Sequence, residues 1–342
     1  MGLAEAGLLT LSFIVPFLVV ILGAPPYLAW LTRAGRVVDD AHKRPPTKVP
    51  SPTGPILFVA ALAGEVVAYF AFGSLVPVAI AGAATVAFVV GITDDLFVLG
   101  GKTKPLLLLL AAAPIVLLVR FESSLYNPVL TFPLLGDTAP HLIIYTLLAV
   151  VAFPIVANAF NMMDSFNGQI SWFTVLVSLA LVFGISLHAA YTSGFSLSRL
   201  AVALPLVAVA LGFLLFNRYP SRAFDGDSGS LMFGAMFAGL TITGGVEVAA
   251  MIAIVPAILN SFYTLSSVRG FVERRKMGAR PTYLGDDGKL YATKDESAPT
   301  TLIRLILLGG AQDEKGLVRS VVILVAVSCL LSAVISVLTW AF

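Results

Sequence analysis

The sequence predicts an all-α, polytopic membrane protein, and three observations support this fold class. Hydrophobic residues make up 58% of the 342 residues and charged residues only 12%, whereas roughly a quarter of a soluble domain is charged. The mean hydropathy is +0.96. Apolar stretches near the roughly 20 residues that a helix needs to cross a bilayer alternate with short polar breaks. We therefore expect one membrane-embedded domain covering residues 1–342.

About ten such stretches can be placed along the chain. They cover residues 8–31, 55–73, 75–93, 105–119, 140–157, 171–189, 199–216, 229–244, 246–267 and 317–341. The fourth and eighth are short, which favours tilt or local thinning of the bilayer. Glycines at the joins Gly73-Ser74 and Gly244-Gly245 favour tight reversals. Glu5 precedes the first stretch without a Lys or Arg, so we expect an uncleaved anchor.

Basic residues are distributed unequally between the loops that ten spans would create. The loops on one side cover residues 32–54, 94–104, 158–170, 217–228 and 268–316. Together with Arg319 they hold 19 of the 21 Lys and Arg residues, and the other side holds Arg120 and Arg199. Basic loops stay on the cytoplasmic side. The asymmetry predicts that both termini lie outside and that the large last loop, 268–316, is cytoplasmic.

Composition argues against several classes of site. A single cysteine, Cys329, rules out an internal disulfide and a thiolate metal cluster. A net charge of +2 does not indicate nucleic-acid binding. The three histidines, His42, His141 and His188, are scattered along the chain, so the sequence predicts no histidine metal site and no Ser-His-Asp triad.

A pair of acidic residues ends the third apolar stretch, in "GITDDLFVLGGKTK" (91–104). A helix C-terminus carries partial negative charge, so Asp94 and Asp95 are unfavourable there without a nearby cation. The pair could hold a cation or deprotonate an acidic group, with Lys104 as a partner for phosphate. The alternative is a solvated turn beside basic membrane anchors.

A second polar segment, "NAFNMMDSFNG" (158–168), follows the fifth stretch. Asn158, Asn161 and Asp164 are spaced at i, i+3 and i+6, which places them on one helical face. Side-chain oxygens at this spacing suit a hard cation such as Mg²⁺. A helix end with Asx turns is the alternative.

A third segment, "FNRYPSRAFDGDSGS" (216–230), precedes the eighth stretch. Asp227 could cap the next helix, but this does not account for Arg222 and Asp225 beside it. A helix N-terminus next to Gly226 and Gly229 also suits a phosphate, whose oxygens accept backbone N–H bonds.

The first and last loops of the basic side are also rich in charge. "VVDDAHKRPPTKVPSPTG" (37–54) combines acids, bases and four prolines, which favours an ordered loop over a hydrophilic connector. The bases of "ERRKMGARP" (273–281) could bind anionic lipid headgroups or a diphosphate. Only Glu65 lies deep within a span. Transporters usually place ionisable groups at mid-membrane, so this pattern favours an enzyme at the membrane surface.

In their order and spacing, these four segments resemble the polyprenyl-phosphate N-acetylhexosamine-1-phosphate transferase family, most of all its dolichyl-phosphate branch in archaea and eukaryotes. The resemblance implies ten spans, a cytoplasmic active site and Mg²⁺, which Mn²⁺ could replace. It implies transfer of a HexNAc-1-phosphate, most often GlcNAc-1-phosphate, from a UDP-sugar to a polyprenyl or dolichyl phosphate, with release of UMP. This would be the first membrane step of glycan assembly, such as protein N-glycosylation.

The same resemblance implies roles for individual residues. Asn161 and Asp227 match the magnesium ligands. Asp94 and Asp95 match the acidic pair near the reacting phosphate, and Lys104 matches the lysine that neutralises phosphate charge.

The resemblance also implies contacts with the substrate. Asn167 matches the asparagine that reads uracil, and Phe224 matches the aromatic ring that stacks on it. Arg280, or else Arg274 or Arg275, corresponds to the arginine that contacts diphosphate and sugar. The other expected substrate-binding residues are Lys43, Asn158, Asp164 and Arg222.

Two departures leave the sugar open. The last loop lacks the histidines of bacterial members, and Ser165 stands where many members have glycine. A cell-wall precursor UDP-sugar is therefore an alternative within the family, and an aspartyl intermediate is an alternative to direct transfer. The alternatives of another class are a secondary transporter of anionic metabolites and a CDP-alcohol phosphotransferase, whose aspartate-rich signature is missing. The resemblance favours an archaeal plasma membrane over the endoplasmic reticulum and leaves a homodimer open.

Overall fold

The computed structural model describes residues 3–121, 129–133, 136–191, 197–270 and 278–340. The helices are α1 (Leu3–Arg33), α2 (Gly54–Phe72), α3 (Val76–Phe97), α4 (Thr103–Leu108), α5 (Ala113–Phe121), α6 (Leu142–Met163), α7 (Gln169–Tyr191), α8 (Leu197–Asn217), α9 (Gly226–Gly244), α10 (Glu247–Ala253), α11 (Val255–Ser267), α12 (Leu302–Leu308) and α13 (Glu314–Trp340). A 3₁₀ turn, Leu109–Ala112, joins α4 to α5. The strands are β1 (Val37–Asp40), β2 (Thr47–Pro50), β3 (Leu130–Phe132), β4 (Gly136–Thr138), β5 (Thr282–Leu284) and β6 (Leu290–Ala292).

The long helices are apolar enough to lie in a membrane. Within the described residues, seven helices have the length and composition of a span, namely α1, α2, α3, α6, α7, α8 and α13. The pair α10 and α11 is bent by 65° and would make an eighth span if it crosses as one unit, while α4 and α5 form a shorter apolar segment. Each of the ten predicted stretches coincides with a helix or with adjoining helices. The chain is therefore a mostly helical, polytopic membrane protein.

Glycines end two of the helices where the sequence predicted tight reversals. Gly73 after α2 and Gly245 after α9 both have φ of 64°, a left-handed conformation that glycine adopts without strain. The N–H of Gly73 donates to the carbonyl of Tyr69 at 2.8 Å. After each of these glycines the chain reverses direction and enters the next helix within a few residues.

Helix α9 lies at the centre of the bundle. Its residues from Ser228 to Gly244 are all buried, and it packs against α2, α3, α6, α7 and α8. A Cβ added at Gly234 would lie 2.5 Å from the Cα of Ala157 in α6, and one at Gly91 in α3 would lie 2.5 Å from the carbonyl oxygen of Asp227. Only glycine permits such close approaches, so these contacts fix the N-terminus of α9 against α3 and α6.

Three short β-hairpins lie in the loops of this mostly α-helical fold. Antiparallel pairs join β1 to β2, β3 to β4 and β5 to β6. The strands have only three or four residues, too few for the alternation that identifies a strand in a sequence. Arg44 anchors the hairpin β5–β6 to the first loop, because its guanidinium lies 2.7 Å from Asp286 and donates to the carbonyl of Leu284 at 2.9 Å.

Candidate active site

A lysine joins two carboxylates from different helices at one end of the bundle. Lys104, near the start of α4, lies with its Nζ 2.7 Å from Oδ2 of Asp94 at the end of α3. The same Nζ contacts Oδ2 of Asp227 in the first turn of α9. The ammonium therefore supplies the cation that a carboxylate at a helix C-terminus requires. We call Asp94, Lys104, Asn161 and Asp227 the carboxylate–lysine cluster.

Asn161, in the last turn of α6, completes this cluster. Its Nδ2 donates to Oδ1 of Asp227 at 2.7 Å and to Oγ of Ser230 at 2.9 Å. With a cation between the two side chains, rotation of the amide by a half-turn would present its oxygen in place of its N–H group. Ser230 was missed, although it lies three residues after Asp227 and so shares its helical face.

The donor set of the cluster fits a hard divalent cation. Asp94 and Asp227 offer carboxylate oxygens, Asn161 an amide oxygen after a flip, and Ser230 a hydroxyl. Mg²⁺ is bound by oxygen ligands of this kind and keeps several waters. The side chains of Asp94 and Asp227 are 14% and 26% exposed, so the oxygens can be reached from water.

Asp95 has a different environment from its neighbour Asp94. Its Oδ1 accepts the backbone N–H of Asp227 at 2.8 Å, and its Oδ2 accepts that of Ser228 at 3.0 Å. Gly226 has φ of +72°, and a Cβ there would lie 2.7 Å from Oδ2 of Asp95. Asp95 therefore caps α9 from across the helix interface, and the expectation that Asp227 itself could be the cap is wrong.

Asp225 lies just before α9 and is fully buried. Neither of its carboxyl oxygens has a hydrogen-bond donor in the described part of the chain. Burial, followed by the charge of Asp164 at the end of α6, raises the pKa of Asp225 well above its ordinary value. Burial therefore favours the protonated, uncharged form of Asp225.

Asn167 forms the centre of a second group of polar contacts. Its Nδ2 donates to Oδ2 of Asp40 at 3.1 Å and to Oε1 of Glu314 at 2.5 Å. Its Oδ1 accepts the N–H of Ser221 at 2.7 Å and, more weakly, the Nζ of Lys43 at 3.4 Å. We call these five residues the Asn167 network. It joins the first loop, the loop before α9 and the start of α13.

Lys43 also sets the charge state of Asp40. Its Nζ lies 2.5 Å from Oδ2 of Asp40. Burial alone raises the pKa of Asp40, but hydrogen bonds from Lys43 and Asn167 and the positive charge of Lys43 outweigh it, so the pKa lies below its ordinary value. Asp40 is therefore ionised at neutral pH despite being 2% exposed.

A cavity of about 160 Å³ lies beside the Asn167 network. His42, Tyr219, Leu290, Asp313, Glu314 and Lys315 line it. The Nζ atoms of Lys43 and Lys315 each lie 4.9 Å from the centre of the Tyr219 ring. Glu314 and Lys315 were missed because nothing in the sequence connects the start of the last helix with residues more than 140 positions earlier.

The remaining predicted residues lie in several places. Phe224 is half-buried in the loop before α9, where its carbonyl accepts the N–H of Thr53 at 2.9 Å. Asn158 donates to the carbonyl of Pro154 at 2.7 Å, within its own helix. Arg222 donates to the carbonyl of Leu215 at 2.8 Å, against the end of α8. Arg280 is exposed in the last loop.

Two further predicted residues, Arg274 and Arg275, lie outside the described residues. Their proposed contact with diphosphate therefore remains a prediction.

Comparison with known proteins identifies the family. The sequence profile of glycosyl transferase family 4 matches residues 77–245, from α3 to the end of α9. A Sulfolobus acidocaldarius protein, provisionally named as a UDP-N-acetylglucosamine–dolichyl-phosphate N-acetylglucosaminephosphotransferase, is 26% identical over 256 residues, which are 73% of this chain and 75% of that protein. A protein of Methanocaldococcus jannaschii, provisionally named as a glycosyltransferase, is 30% identical over 74% of this chain and 73% of its own length.

A bacterial relative extends the similarity. A Bacillus subtilis protein, provisionally named as an undecaprenyl-phosphate N-acetylglucosaminyl 1-phosphate transferase, is 25% identical over 83% of this chain and 76% of its own length. The matched family region carries every residue of the carboxylate–lysine cluster. The chain belongs to glycosyl transferase family 4.

Proposed function

We propose that the protein transfers GlcNAc-1-phosphate from UDP-GlcNAc to a polyprenyl or dolichyl phosphate and releases UMP. The observation that carries this proposal is the carboxylate–lysine cluster, in which Lys104 pairs with both Asp94 and Asp227 at the end of an apolar bundle. The names of the archaeal and bacterial relatives support the reaction class and the type of acceptor. A UDP-sugar used in cell-wall precursors is the alternative within the same chemistry.

Asp227 and Asn161 would hold Mg²⁺, which Mn²⁺ could replace, with Asp94 and Ser230 as further oxygen donors. When bound, such an ion offsets charge on the phosphate oxygens and stabilises the leaving UMP. Asp95 acts on this arrangement indirectly, because its two hydrogen bonds hold the backbone of Asp227 and Ser228.

Phosphoryl transfer depends mainly on positioning and on neutralisation of charge. Lys104 would exchange part of its contact with the two carboxylates for the phosphate oxygens of the substrates. An oxygen of the lipid phosphate forms the new bond to the β-phosphorus as the bond to UMP breaks. The acceptor is largely ionised near neutral pH, so Asp94 needs only to orient it. An aspartyl intermediate on Asp94 would require a second step.

The Asn167 network would bind the nucleotide. The Oδ1 of Asn167 makes its weakest contact with Lys43, at 3.4 Å. The N3–H of uracil could replace that contact without disturbing the bond from Ser221. Phe224 offers a half-buried ring for stacking, and Arg280, Arg274 or Arg275 would contact the diphosphate and sugar.

The proposed orientation follows from the distribution of basic residues. Ten spans would place the site on the cytoplasmic face and both termini outside. The lipid tail would lie between apolar helices, with its phosphate at the aqueous end of the bundle. The similarity to archaeal relatives supports an archaeal plasma membrane. Glu65 alone lies deep within a span while the other charged clusters lie at the ends of helices, and this pattern gives no support to a transporter.

Purified protein incubated with Mg²⁺, a polyprenyl phosphate and a panel of UDP-sugars tests the proposal. We expect UMP release with UDP-GlcNAc that depends on both lipid and metal. Faster UMP release with another UDP-sugar would change the assigned donor sugar but not the assigned reaction. Absence of UMP with every UDP-sugar would refute the enzyme assignment. Lys102→Met, at an exposed lysine next to the site, is a matched control for Lys104→Met.

A further inference from the structure

Three potential metal ligands from distant parts of the chain meet at the edge of the Asn167 network, and two of them, Asp40 and Glu314, belong to it. Asp40 ends β1, His42 follows it in the turn, and Glu314 begins α13. One ligand atom from each side chain lies within 4.8 Å of the other two. The group shares no residue with the carboxylate–lysine cluster. The sequence predicted no histidine metal site, because it gave no sign that the first loop meets the last helix.

One carboxylate oxygen of this group is buried and has no hydrogen-bond partner in the part of the chain that the structure describes. Asp40 and Glu314 are 2% and 7% exposed. Oε1 of Glu314 accepts the backbone N–H of Asn167 at 2.9 Å and its side-chain amide at 2.5 Å. Oε2 of Glu314 has no hydrogen bond to any described residue. An unpaired buried carboxylate oxygen is costly, and a bound cation would remove that cost.

The surrounding contacts orient the ligands as an outer shell does in metal sites. The amide of Asn167 bonds one oxygen of Asp40 and one of Glu314. This leaves Oδ1 of Asp40, which accepts a long 3.3 Å bond from the N–H of His42, and Oε2 of Glu314, which has no hydrogen bond within the described residues. The His42 ring stacks on Phe166, with 4.2 Å between ring centres. Outer-shell bonds of this kind fix ligand orientation and raise affinity.

We propose that Asp40, His42 and Glu314 bind a divalent transition metal such as Zn²⁺ or Mn²⁺, at a site separate from the carboxylate–lysine cluster. An imidazole with two carboxylates suits these ions better than Mg²⁺, which prefers oxygen ligands alone. The ion would join the first loop to the start of α13, at the wall of the 160 Å³ cavity. Water in that cavity can supply the remaining ligands.

Lys43 is the cation that competes with this metal. Its Nζ lies 2.5 Å from Oδ2 of Asp40, so part of the carboxylate charge is already neutralised. The positive charge of Lys43 repels a second cation on the same carboxylate. Removing this charge should tighten metal binding, which a purely structural Asp40–Lys43 ion pair would not predict.

Metal binding to the full-length protein in detergent tests this site without using the transfer reaction. The parent protein for this test is the Asp227→Asn variant, because its carboxylate–lysine cluster is already impaired. After a chelator has removed bound metal, the variant is titrated with Co²⁺ by visible absorption and with Zn²⁺ by calorimetry. We expect one site per chain. Adding His42→Ala should weaken it by at least about tenfold, and adding His141→Ala, at an exposed histidine, should leave it unchanged.

Two further variants keep the test decisive. His42→Asn retains a polar side chain if His42→Ala unfolds, and it should lose the same affinity. Lys43→Gln should bind more tightly than the parent. The proposal is overturned if the parent binds no Co²⁺ or Zn²⁺, or if both His42 variants bind within twofold of it while their unfolding temperatures without metal are unchanged. UMP release is not measured, so failure of this site is distinct from failure of the proposed function.

Discussion

The carboxylate–lysine cluster and the Asn167 network are built in opposite ways. The cluster takes its residues from the ends of α3, α4, α6 and α9, and it concentrates charge, because one lysine lies between two carboxylates. The network takes most of its residues from loops, and its central amide already has all its donors and acceptors engaged. The first is suited to strong electrostatic stabilisation, and the second to recognition by exchange of hydrogen bonds.

The largest effect is expected from Asp227→Asn. The change removes a charged oxygen donor and the carboxylate partner of Lys104 while keeping the side-chain size. Loss of several kcal/mol of charge stabilisation should lower the rate of UMP release by at least about a hundredfold. Steady-state UMP assays over a range of Mg²⁺ concentrations measure this loss of rate. Near-normal turnover would show that Asp227 is not a metal ligand.

The second largest loss of turnover is expected from Lys104→Met. It leaves Asp94 and Asp227 facing each other without the ammonium between them. We expect kcat to fall by about a hundredfold, the usual cost of losing one charge-stabilising group. The exposed Lys102→Met control should keep wild-type kcat. Equal losses in the two variants would mean that only the overall basic charge matters.

Asp95→Asn tests whether the two adjacent acids have separate tasks. Asp95 holds the backbone of α9, so replacing it weakens a helix cap by about 1 kcal/mol and should lower the unfolding temperature. Its kcat should fall less than that of Asp94→Asn. If Asp95→Asn instead abolished turnover without changing the unfolding temperature, Asp95 would touch the substrate directly.

Glu314→Gln should affect binding more than turnover. The amide keeps one acceptor for Asn167 but loses the negative charge that orients the Asn167 amide. We expect KM for UDP-GlcNAc to rise about fivefold, corresponding to about 1 kcal/mol of hydrogen bonding, with kcat nearly constant. A fall in kcat at unchanged KM would place the network in the chemical step.

The smallest effect is expected from Asp225→Asn. The pKa of Asp225 is raised well above its ordinary value, first by burial, and asparagine resembles the protonated carboxyl that burial favours. Because the folded-state pKa exceeds the unfolded value of about 4, wild-type stability falls relative to the variant as pH rises above that value. Thermal unfolding of both proteins between pH 5 and 8 measures this difference in stability, and a stability deficit of the variant that widens as pH rises would contradict it.

The sequence predicted the residues of the cluster better than those of the network. Carboxylates at a helix C-terminus already indicated a cation, and the i+3 spacing indicated which asparagines share a face. Glu314 had no such local signal, since its contact with Asn167 depends on the packing of α13 against α7. The hairpins β1–β2 and β5–β6 were too short to show alternation, so the sequence predicted an ordered first loop but did not predict that either loop forms a hairpin.

The number of membrane spans is likewise only partly predictable from the sequence. Each predicted apolar stretch contains helix, yet α9 is not among the seven described helices with the composition of a span. Its glycines, serines and threonines allow close packing against the helices that surround it, because a helix enclosed by protein does not need the apolar surface that lipid requires. Hydropathy therefore measures contact with lipid more directly than it measures position in the bundle.

The fate of the β-phosphate tests the central claim most directly. UDP-GlcNAc carrying ³²P at the β-position is incubated with purified protein, Mg²⁺ and a polyprenyl phosphate, and the lipid and water phases are separated. Transfer of GlcNAc-1-phosphate predicts label in the lipid phase and unlabelled UMP in water, with both lost in Asp227→Asn. Label remaining in water as UDP while sugar enters the lipid phase would contradict the account.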